Sequence, residues 1–262
     1  MPGTDLALIR DAAVEAGRIA LGHWRRSPEV WDKGGDDPVS AADLAVDAFL
    51  KDALLGARGD YGWLSEETAD DGTRLTAPRV FVVDPIDGTR SFLKGEETWG
   101  VSIAVVEDGV PVAGVVHLPA RDKTYAAARG AAATLNDAPI RAADRTDPDG
   151  ATVLTRPSTL KPDHWRGEAP AMTRVFRPSI AYRLGLVAEG RFDAMMTLTP
   201  AWDWDVAAGV CIATAAGATA TDAAGSALSF DRRDARQPGI LVAGPGLHAA
   251  LARRLTPRPR SA

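Results

Sequence analysis

Acidic residues are concentrated in four short segments of the chain. These segments hold Asp43, Glu66 with Glu67, Asp84 with Asp87, and Asp203 with Asp205. Taken singly, each could be a solvated side chain or a helix cap. Together they offer several carboxylate oxygens, which are the ligands that hard divalent cations prefer in proteins.

The segment from Asp84 to Thr89 carries the clearest signal. It follows the apolar run Arg79–Val83, which predicts a buried strand with a loop at its carboxyl end. Catalytic groups of sheet proteins often lie at such ends. Gly88 lets the backbone approach a ligand closely, and Thr89 adds a hydroxyl. Two carboxylates that converge in a semi-buried loop repel each other, and a divalent cation relieves that repulsion.

The type of cation follows from the donor atoms. The candidate ligands are all oxygens, whereas the four histidines are scattered without the spacing of a metal site; they are His23, His117, His164 and His248. Oxygen donors favour Mg²⁺, Mn²⁺ or Ca²⁺ over zinc.

The elements that must position these residues can be read from periodicity and turn signals. Apolar residues at helical spacing predict a first helix over about 5–25, and Ser40 can cap a second helix. Further strands are predicted at 101–106, 110–116, 124–128 and 133–135, and further helices at 180–189 and about 205–216. Asp108-Gly109 predicts a hairpin turn between two of these strands. The mixed order indicates an α/β or α+β layered fold.

Length and composition are those of an ordinary globular protein. The 262 residues are 45% hydrophobic and 25% charged, which is enough chain for one large domain or two tightly joined halves. The stretch Ala142–Gly150, with several Asp and a Pro, is the best candidate boundary. We therefore expect an N-terminal half, 1–142, that carries most candidate ligands, and a C-terminal half, 143–262, that carries Asp205.

Charge and cysteine content narrow the class of protein. A net charge of −5 gives no general attraction to a nucleic acid polymer. A single cysteine, Cys211, forms no internal disulfide and is interpreted as a small apolar helix residue, so a reducing cytoplasm is the expected compartment. The N-terminal residues lack a signal-peptide core, and no apolar run approaches the roughly 20 residues that span a bilayer, so no membrane contact is expected.

Three motifs together resemble the signature of the inositol monophosphatase family. They are Glu66-Glu67, the segment Asp84 to Thr89, and Trp204-Asp205-Val206-Ala207-Ala208-Gly209. The resemblance runs from Lys33 to Ala218. It implies a layered αβαβα sandwich, often a homodimer, and a Mg²⁺-dependent phosphatase that hydrolyses small phosphorylated metabolites. The family includes inositol monophosphatases, 3′(2′),5′-bisphosphate nucleotidases, fructose-1,6-bisphosphatase-like enzymes and some histidinol phosphatases.

The resemblance also implies a role for individual residues. The metal ligands it gives are Glu66, Asp84 and the carbonyl of Ile86 for a first ion, then Asp84, Asp87 and Asp205 for a second, with Glu66 near a third. The catalytic residues are Glu66, Thr89 and Asp43, the last two activating the attacking water. The substrate contacts are Gly88, Thr89, Arg183 and Asp205, and the C-terminal half supplies the substrate-specificity loops. Lys33 is expected either near the metal site or as an exposed loop residue.

Departures from the family pattern bear on the substrate. Met195–Leu198 lacks the acidic residue with which inositol-specific members hold a sugar hydroxyl. Two segments are more typical of nucleotidases or histidinol phosphatases. They are Thr89-Arg90-Ser91-Phe92 and the repeated Trp-Asp pair at 202–205. Arg90 and Arg183 either meet a second phosphate or form surface ion pairs. We therefore expect 3′-phosphoadenosine 5′-phosphate as substrate, with inositol-1-phosphate, fructose-1,6-bisphosphate and histidinol phosphate as alternatives.

Other classes of function leave sequence signatures that can be checked. A catalytically silent protein that binds a metal or an anion would have lost one of five residues, all of which are present: Glu66, Asp84, Asp87, Thr89 and Asp205. A kinase or ATPase with a phosphate-binding loop lacks its Gly-rich Lys-Ser/Thr motif here. A serine hydrolase lacks its G-x-S-x-G elbow.

Overall fold

A computed structural model describes residues 2–32, 34 and 38–256. The expectation for Lys33 lies outside the described residues. In the described part of the chain the helices are α1 (Pro2–His23), α2 (Ala41–Ala57), α3 (Thr89–Leu93), α4 (Ile180–Ala188), α5 (Asp203–Ala215) and α6 (Pro245–Arg254).

The strands number sixteen in the described residues. They are β1 (Val30–Asp32), β2 (Pro38–Ser40), β3 (Gly62–Ser65), β4 (Val80–Asp87), β5 (Gly100–Glu107), β6 (Val110–Leu118), β7 (Lys123–Ala128), β8 (Thr134–Leu135), β9 (Ala138–Pro139), β10 (Thr152–Leu154), β11 (Thr173–Val175), β12 (Ala194–Thr197), β13 (Ala201–Trp202), β14 (Thr219–Thr221), β15 (Arg236–Gln237) and β16 (Ile240–Ala243). Each predicted strand is present, with ends that differ from the prediction by at most four residues.

Two larger sheets organise the molecule. The first has the order β3-β4-β5-β6-β7-β8-β9, with β3 parallel to β4 and antiparallel pairing from β4 onward. The second has the order β11-β10-β12-β16-β14, in which β10 pairs in parallel with both of its neighbours. The first sheet lies wholly in the N-terminal half of the chain and the second wholly in the C-terminal half.

Helices cover these sheets in alternating layers. Helices α1 and α2 pack on one face of the first sheet, and α5, with α4 beside it, packs on the other. Both α4 and α5 also contact the second sheet, whose far face is covered by α6. The predicted αβαβα sandwich is therefore confirmed. Within residues 2–32 and 38–256, no helix combines the length and hydropathy needed to cross a membrane.

Local sequence explains the elements nearest the carboxylates. In α1, Ile9, Ala13, Ala16 and Ala20 are fully buried, which accounts for the helical spacing of the apolar residues. All eight residues of β4 are buried, because helices cover both faces of its sheet. The β5–β6 hairpin turns at Asp108 and Gly109, which both have positive φ, 52° and 74°, as a type I′ turn requires.

One hydrophobic cluster links the two halves of the chain. It contains Val82 of β4, Leu184 of α4, Val206 of α5 and Met195 of β12, all 1% exposed or less. A Cβ on Gly209 of α5 would lie 2.5 Å from the Leu184 side chain, so the close contact between α4 and α5 depends on a glycine there. A site at this junction can draw residues from both halves. The stretch Ala142–Gly150 contains no helix or strand.

Candidate active site

The acidic segments converge where β3 and β4 end and α5 begins. Glu66 directly follows β3, and its backbone N–H donates to the Val83 carbonyl of β4 at 3.3 Å. Asp84 and Asp87 lie in the last four residues of β4, where the register against β5 shifts. Asp205 lies in the first turn of α5, which begins at Asp203, two residues before the predicted start. One carboxylate oxygen from each of Asp84, Asp87 and Asp205 lies within 4.8 Å of the other two.

Burial and mutual repulsion make Asp84 hard to ionise without a cation. Its side chain is 1% exposed, and the Ile86 backbone N–H donates to Oδ1 at 3.0 Å. Burial raises the pKa of Asp84 well above its usual range, and the charges of Glu66, Asp87 and Asp205 raise it further. A divalent cation offsets this repulsion, and a buried set of carboxylate oxygens has the chemistry that suits Mg²⁺.

Asp87 also anchors the start of α4. Its Oδ2 accepts from the Ser179 hydroxyl and from the Ala181 backbone N–H at 2.6 Å, and its Oδ1 accepts from the Ile180 N–H at 3.3 Å. Burial raises the pKa of Asp87 to about 6, although these donors and the charge of Arg183 oppose the rise. Asp87 therefore fixes a helix of the C-terminal half against the end of β4.

Asp205 is oriented by the chain just before its helix. The Trp202 backbone N–H donates to Asp205 Oδ2 at 3.3 Å. Burial raises the pKa of Asp205 well above its usual range, with further contributions from Asp87 and Glu66. The indoles of Trp202 and Trp204 stack with centroids 4.7 Å apart, next to this carboxylate.

Thr89 and Asp43 form a hydroxyl–carboxylate pair. Thr89 Oγ1 lies 3.3 Å from Asp43 Oδ1 and 3.1 Å from the Ile86 carbonyl oxygen. Asp43 Oδ2 accepts from the backbone N–H and the hydroxyl of Ser40 at 2.8 and 2.6 Å, which also caps α2 as predicted. Burial raises the pKa of Asp43 to about 6. With Oδ2 held in this way, Oδ1 is left directed at the Thr89 hydroxyl.

Gly88 makes the turn between β4 and α3 possible. Its φ is +95°, and a Cβ there would lie 2.9 Å from the Thr98 carbonyl oxygen. Thr89 then begins the short helix α3.

A cleft of about 420 Å³ opens over the carboxylates. Its lining includes Glu66, Asp84, Asp87, Gly88, Thr89 and Asp205, together with Arg90, Lys94, Arg156 and Phe176. Three of these lining residues were not predicted from the sequence: Lys94, Arg156 and Phe176. Lys94 is the C-cap residue of α3 and lies four residues after Arg90, a spacing that could have indicated a shared helix face. The other two come from loops of the C-terminal half and left no such signal.

The structure places Arg183 differently from the predicted substrate contact. Its side chain is 1% exposed, and its guanidinium donates to the backbone carbonyls of Arg177 and Pro178, the latter at 2.9 Å. The guanidinium also lies over the Phe176 ring at 4.6 Å. Arg183 lies in α4 and holds the loop before that helix from inside. It therefore stabilises the loop that lines the cleft and does not itself face the substrate.

The raised carboxyl pKa values predict a pH-dependent coupling between Mg²⁺ and protons. Asp43 and Asp87 have pKa values of about 6, against an ordinary value of 3.8. The metal-free fold is therefore stabilised by their protonation below about pH 4 and loses that stabilisation as the pH rises through 6. Since a cation binds the ionised form, Mg²⁺ binding should release protons at pH 6. Calorimetric titrations in two buffers of different ionisation enthalpy check this, and heats at pH 6 that do not depend on the buffer would contradict it.

Comparison with known proteins places this geometry in a family. The model of the inositol monophosphatase family matches residues 4–259. The chain belongs to the inositol monophosphatase family. It is 33% identical to an inositol-1-monophosphatase of Rhizobium meliloti over 237 residues, which cover 87% of this chain and 85% of the relative.

Further relatives show the spread of activities within the family. The chain is 31% identical to the 3′(2′),5′-bisphosphate nucleotidase CysQ of Escherichia coli K12, over 82% of this chain and 88% of the relative. The solved structure of the extragenic suppressor protein SuhB from Bartonella henselae superposes with a TM-score of 0.81 at 28% identity, covering 95% of this chain and 97% of that one. Family members are Mg²⁺-dependent and hydrolyse phosphate monoesters, so this chain is a Mg²⁺-dependent phosphatase.

Proposed function

We propose that the enzyme is a 3′(2′),5′-bisphosphate nucleotidase that removes one phosphate from 3′-phosphoadenosine 5′-phosphate. The observation that carries this proposal is the cationic side of the cleft. Arg90, Lys94 and Arg156 line it and are all exposed, and they outnumber Glu96, the one exposed acidic residue among the described residues of this lining. A substrate with a single phosphate would be held by the cation site alone. A second phosphate gives these side chains a charge-assisted partner.

Phe176 suits the base of a nucleotide. It lines the same cleft and is 41% exposed, with the Arg183 guanidinium fixed behind its ring. An exposed aromatic face that is held rigid from behind offers a stacking surface, which is worth about 1–3 kcal/mol per base in nucleic acid complexes. Inositol and a sugar bisphosphate have no aromatic face to use it.

We propose Glu66, Asp84, Asp87, Asp205 and the Ile86 carbonyl as the oxygen ligands for two or three Mg²⁺ ions. When bound, such ions polarise the phosphoryl oxygens and lower the pKa of water. The protein residues hold the reacting groups in place. Asp84 lies close to Asp87 and Asp205, which are held by backbone N–H groups of α4 and of Trp202.

Thr89 and Asp43 orient the attacking water in this proposal. The Thr89 hydroxyl donates to Asp43 Oδ1, which leaves its oxygen lone pairs to accept from water in the cleft. When the water gives a proton to the Thr89 oxygen, the Thr89 hydroxyl passes its own proton to Asp43, which Ser40 holds in place. Backbone N–H groups of Gly88 and Thr89, at the floor of the cleft, are placed to meet the phosphoryl oxygens.

Inositol-1-phosphate, fructose-1,6-bisphosphate and histidinol phosphate are the alternatives. Inositol is disfavoured by β12, where the expected acidic side chain is replaced by Met195 and Met196, both fully buried. A polyol binds selectively when hydroxyls meet fixed polar groups, and these side chains offer none.

Phosphate release from the four substrates, with Mg²⁺ and then with EDTA, tests the proposal. We expect Mg²⁺-dependent release with 3′-phosphoadenosine 5′-phosphate preferred at least tenfold in kcat/KM. Preference for inositol-1-phosphate would overturn the substrate assignment while leaving the phosphatase chemistry in place.

We also propose a homodimer, which light scattering during size-exclusion chromatography tests.

Arg156→Ala and Lys94→Ala test the cationic side of the cleft directly. A hydrogen bond to a charged group is worth about 1.5–3 kcal/mol, so each variant should raise KM for the bisphosphate roughly 10- to 100-fold. The KM for adenosine 3′-monophosphate, which keeps the phosphate to be removed and lacks the second one, should change less than about threefold. Arg253→Ala, in the last turn of the outermost helix α6, is the matched control. Equal losses with both substrates would contradict a second phosphate site.

A further inference from the structure

Asp47 is a buried carboxylate that has no part in the chemistry proposed above. It lies one turn after Asp43 on α2 and is 7% exposed. Residues four apart share one face of a helix, so both carboxylates point toward the ends of β3 and β4. Asp43 contacts Thr89 there, as described.

Asp47 contacts the two residues that flank the Glu66-Glu67 pair. Its Oδ1 accepts from the Ser65 hydroxyl at 2.5 Å, and its Oδ2 accepts from the Thr68 hydroxyl at 2.6 Å. The Ser65 oxygen in turn accepts from the Glu67 backbone N–H at 3.4 Å. Both oxygens of one carboxylate therefore hold a four-residue segment at its two ends.

The same segment is fixed on its other side by the first sheet. Ser65 pairs with Val83 in the parallel β3–β4 register, and the Glu66 N–H donates to the Val83 carbonyl. Glu66 is the only residue among the proposed carboxylate ligands in the described chain that lies neither in a strand nor in a helix. Its backbone has left β3, so contacts outside the ladder must set its direction.

We propose that Asp47 is a positioning residue for the metal site, holding the 65–68 segment so that the Glu66 carboxylate meets the other ligands. The inference rests on the proposed ligand role of Glu66. Because Asp43 and Asp47 lie on one rigid helix, α2 also fixes the water-orienting Thr89 and the Glu66 segment relative to each other. Groups that orient metal ligands in this way typically contribute 10- to 100-fold to metal affinity.

The experiment measures Mn²⁺ binding by electron paramagnetic resonance, without substrate, and the Mg²⁺ concentration for half-maximal activity. Asp47→Asn keeps the shape of the side chain but replaces one accepting oxygen by a donor. It should weaken Mn²⁺ binding about 10- to 100-fold and raise the Mg²⁺ concentration for half-maximal activity by a similar factor. The kcat at saturating Mg²⁺ should fall much less. Thr68→Val removes one of the two contacts and should weaken binding several-fold, whereas Thr68→Ser, which keeps the hydroxyl, should bind as wild type.

Asp5→Asn is the control for a merely structural effect. Asp5 is fully buried and accepts from Arg58 and Arg79 at the far end of the first sheet, so its loss should lower the melting temperature without changing Mn²⁺ affinity. Weaker Mn²⁺ binding by Asp5→Asn, to the same degree as by Asp47→Asn, would overturn the inference. So would unchanged binding by folded Asp47→Asn and Thr68→Val.

Glu66→Gln separates this inference from the ligand assignment. We expect it to weaken Mn²⁺ binding at least as much as Asp47→Asn. If it does so while the Asp47 and Thr68 variants bind as wild type, only the positioning role fails. If Glu66→Gln itself binds as wild type, the ligand assignment fails, and the positioning role fails with it.

Discussion

Asp84→Asn is expected to lower kcat by at least about a thousandfold and to make the metal-free protein more stable to heat. The asparagine keeps the acceptor for the Ile86 N–H, so the fold at this turn is preserved. It removes one negative charge from the proposed ligand set. Charge stabilisation by such a site is worth several kcal/mol, and each factor of ten in rate corresponds to 1.36 kcal/mol. It also removes the repulsion from Glu66, Asp87 and Asp205 that raises the pKa of Asp84.

The measurement compares melting temperatures with and without Mg²⁺ at pH 7.5, alongside activity. Wild type should gain stability from Mg²⁺, because a ligand that binds only the folded state stabilises it. Without Mg²⁺, Asp84→Asn should melt at a higher temperature than wild type, and Mg²⁺ should raise its melting temperature little. Asp60→Asn, an exposed aspartate, should match wild type in both. A folded Asp84→Asn variant with near-normal Mg²⁺-dependent activity would show that Asp84 does not hold the cation.

Thr89→Val should lower kcat by about 10²–10⁴-fold and leave Mg²⁺ affinity nearly unchanged. Valine has the shape of threonine and lacks the hydroxyl that lies 3.3 Å from Asp43 and 3.1 Å from the Ile86 carbonyl. Positioned proton transfer contributes a factor of this size, so its loss should act on the chemical step and not on the binding of the ion.

Thr89→Ser is the matched variant for this prediction. It restores the hydroxyl without the methyl group and should recover at least a tenth of wild-type kcat. Mn²⁺ affinity should be equal in the valine, serine and wild-type proteins. Equal kcat for Thr89→Val and wild type would remove Thr89 and Asp43 from the activation of water and would direct attention to another group in the cleft.

The parts of the fold that local chemistry determines could be predicted from the sequence. The buried strand before Asp84 is specified by its own apolar residues, the α2 cap by Ser40, and the β5–β6 turn by Asp108-Gly109. The convergence of the acidic segments was implied by the resemblance to the inositol monophosphatase family. The residues themselves predicted only that two carboxylates at the end of a buried strand, Asp84 and Asp87, would need a shared cation. The start of α5 was placed two residues late because Asp203 and Asp205 both suit a first helical turn.

The remaining features depend on which distant segments the topology brings together. Ser179 caps α4 and donates to Asp87, 92 residues earlier in the chain, and no local pattern records that pairing. Arg156 and Phe176 reach the cleft on loops of the second sheet. Arg183 was expected at the substrate because its charge could meet a second phosphate, yet two backbone carbonyls and an aromatic ring keep its guanidinium inside.

The hydrogen bonds between Asp87 and the start of α4 also constrain how the molecule is made. Asp87 and Ala181 are 94 residues apart, and a ribosome adds about 5–20 residues each second. The Asp87 carboxylate therefore waits roughly 5–20 seconds after its own synthesis before its donors exist, and Asp205 emerges later still. During that interval the end of β4 carries its acidic side chains without the helices that bury them. The acidic edge of the growing first half must stay solvated during that time. The proposed cation site is complete only after Asp205, in the last quarter of the chain, has been synthesised.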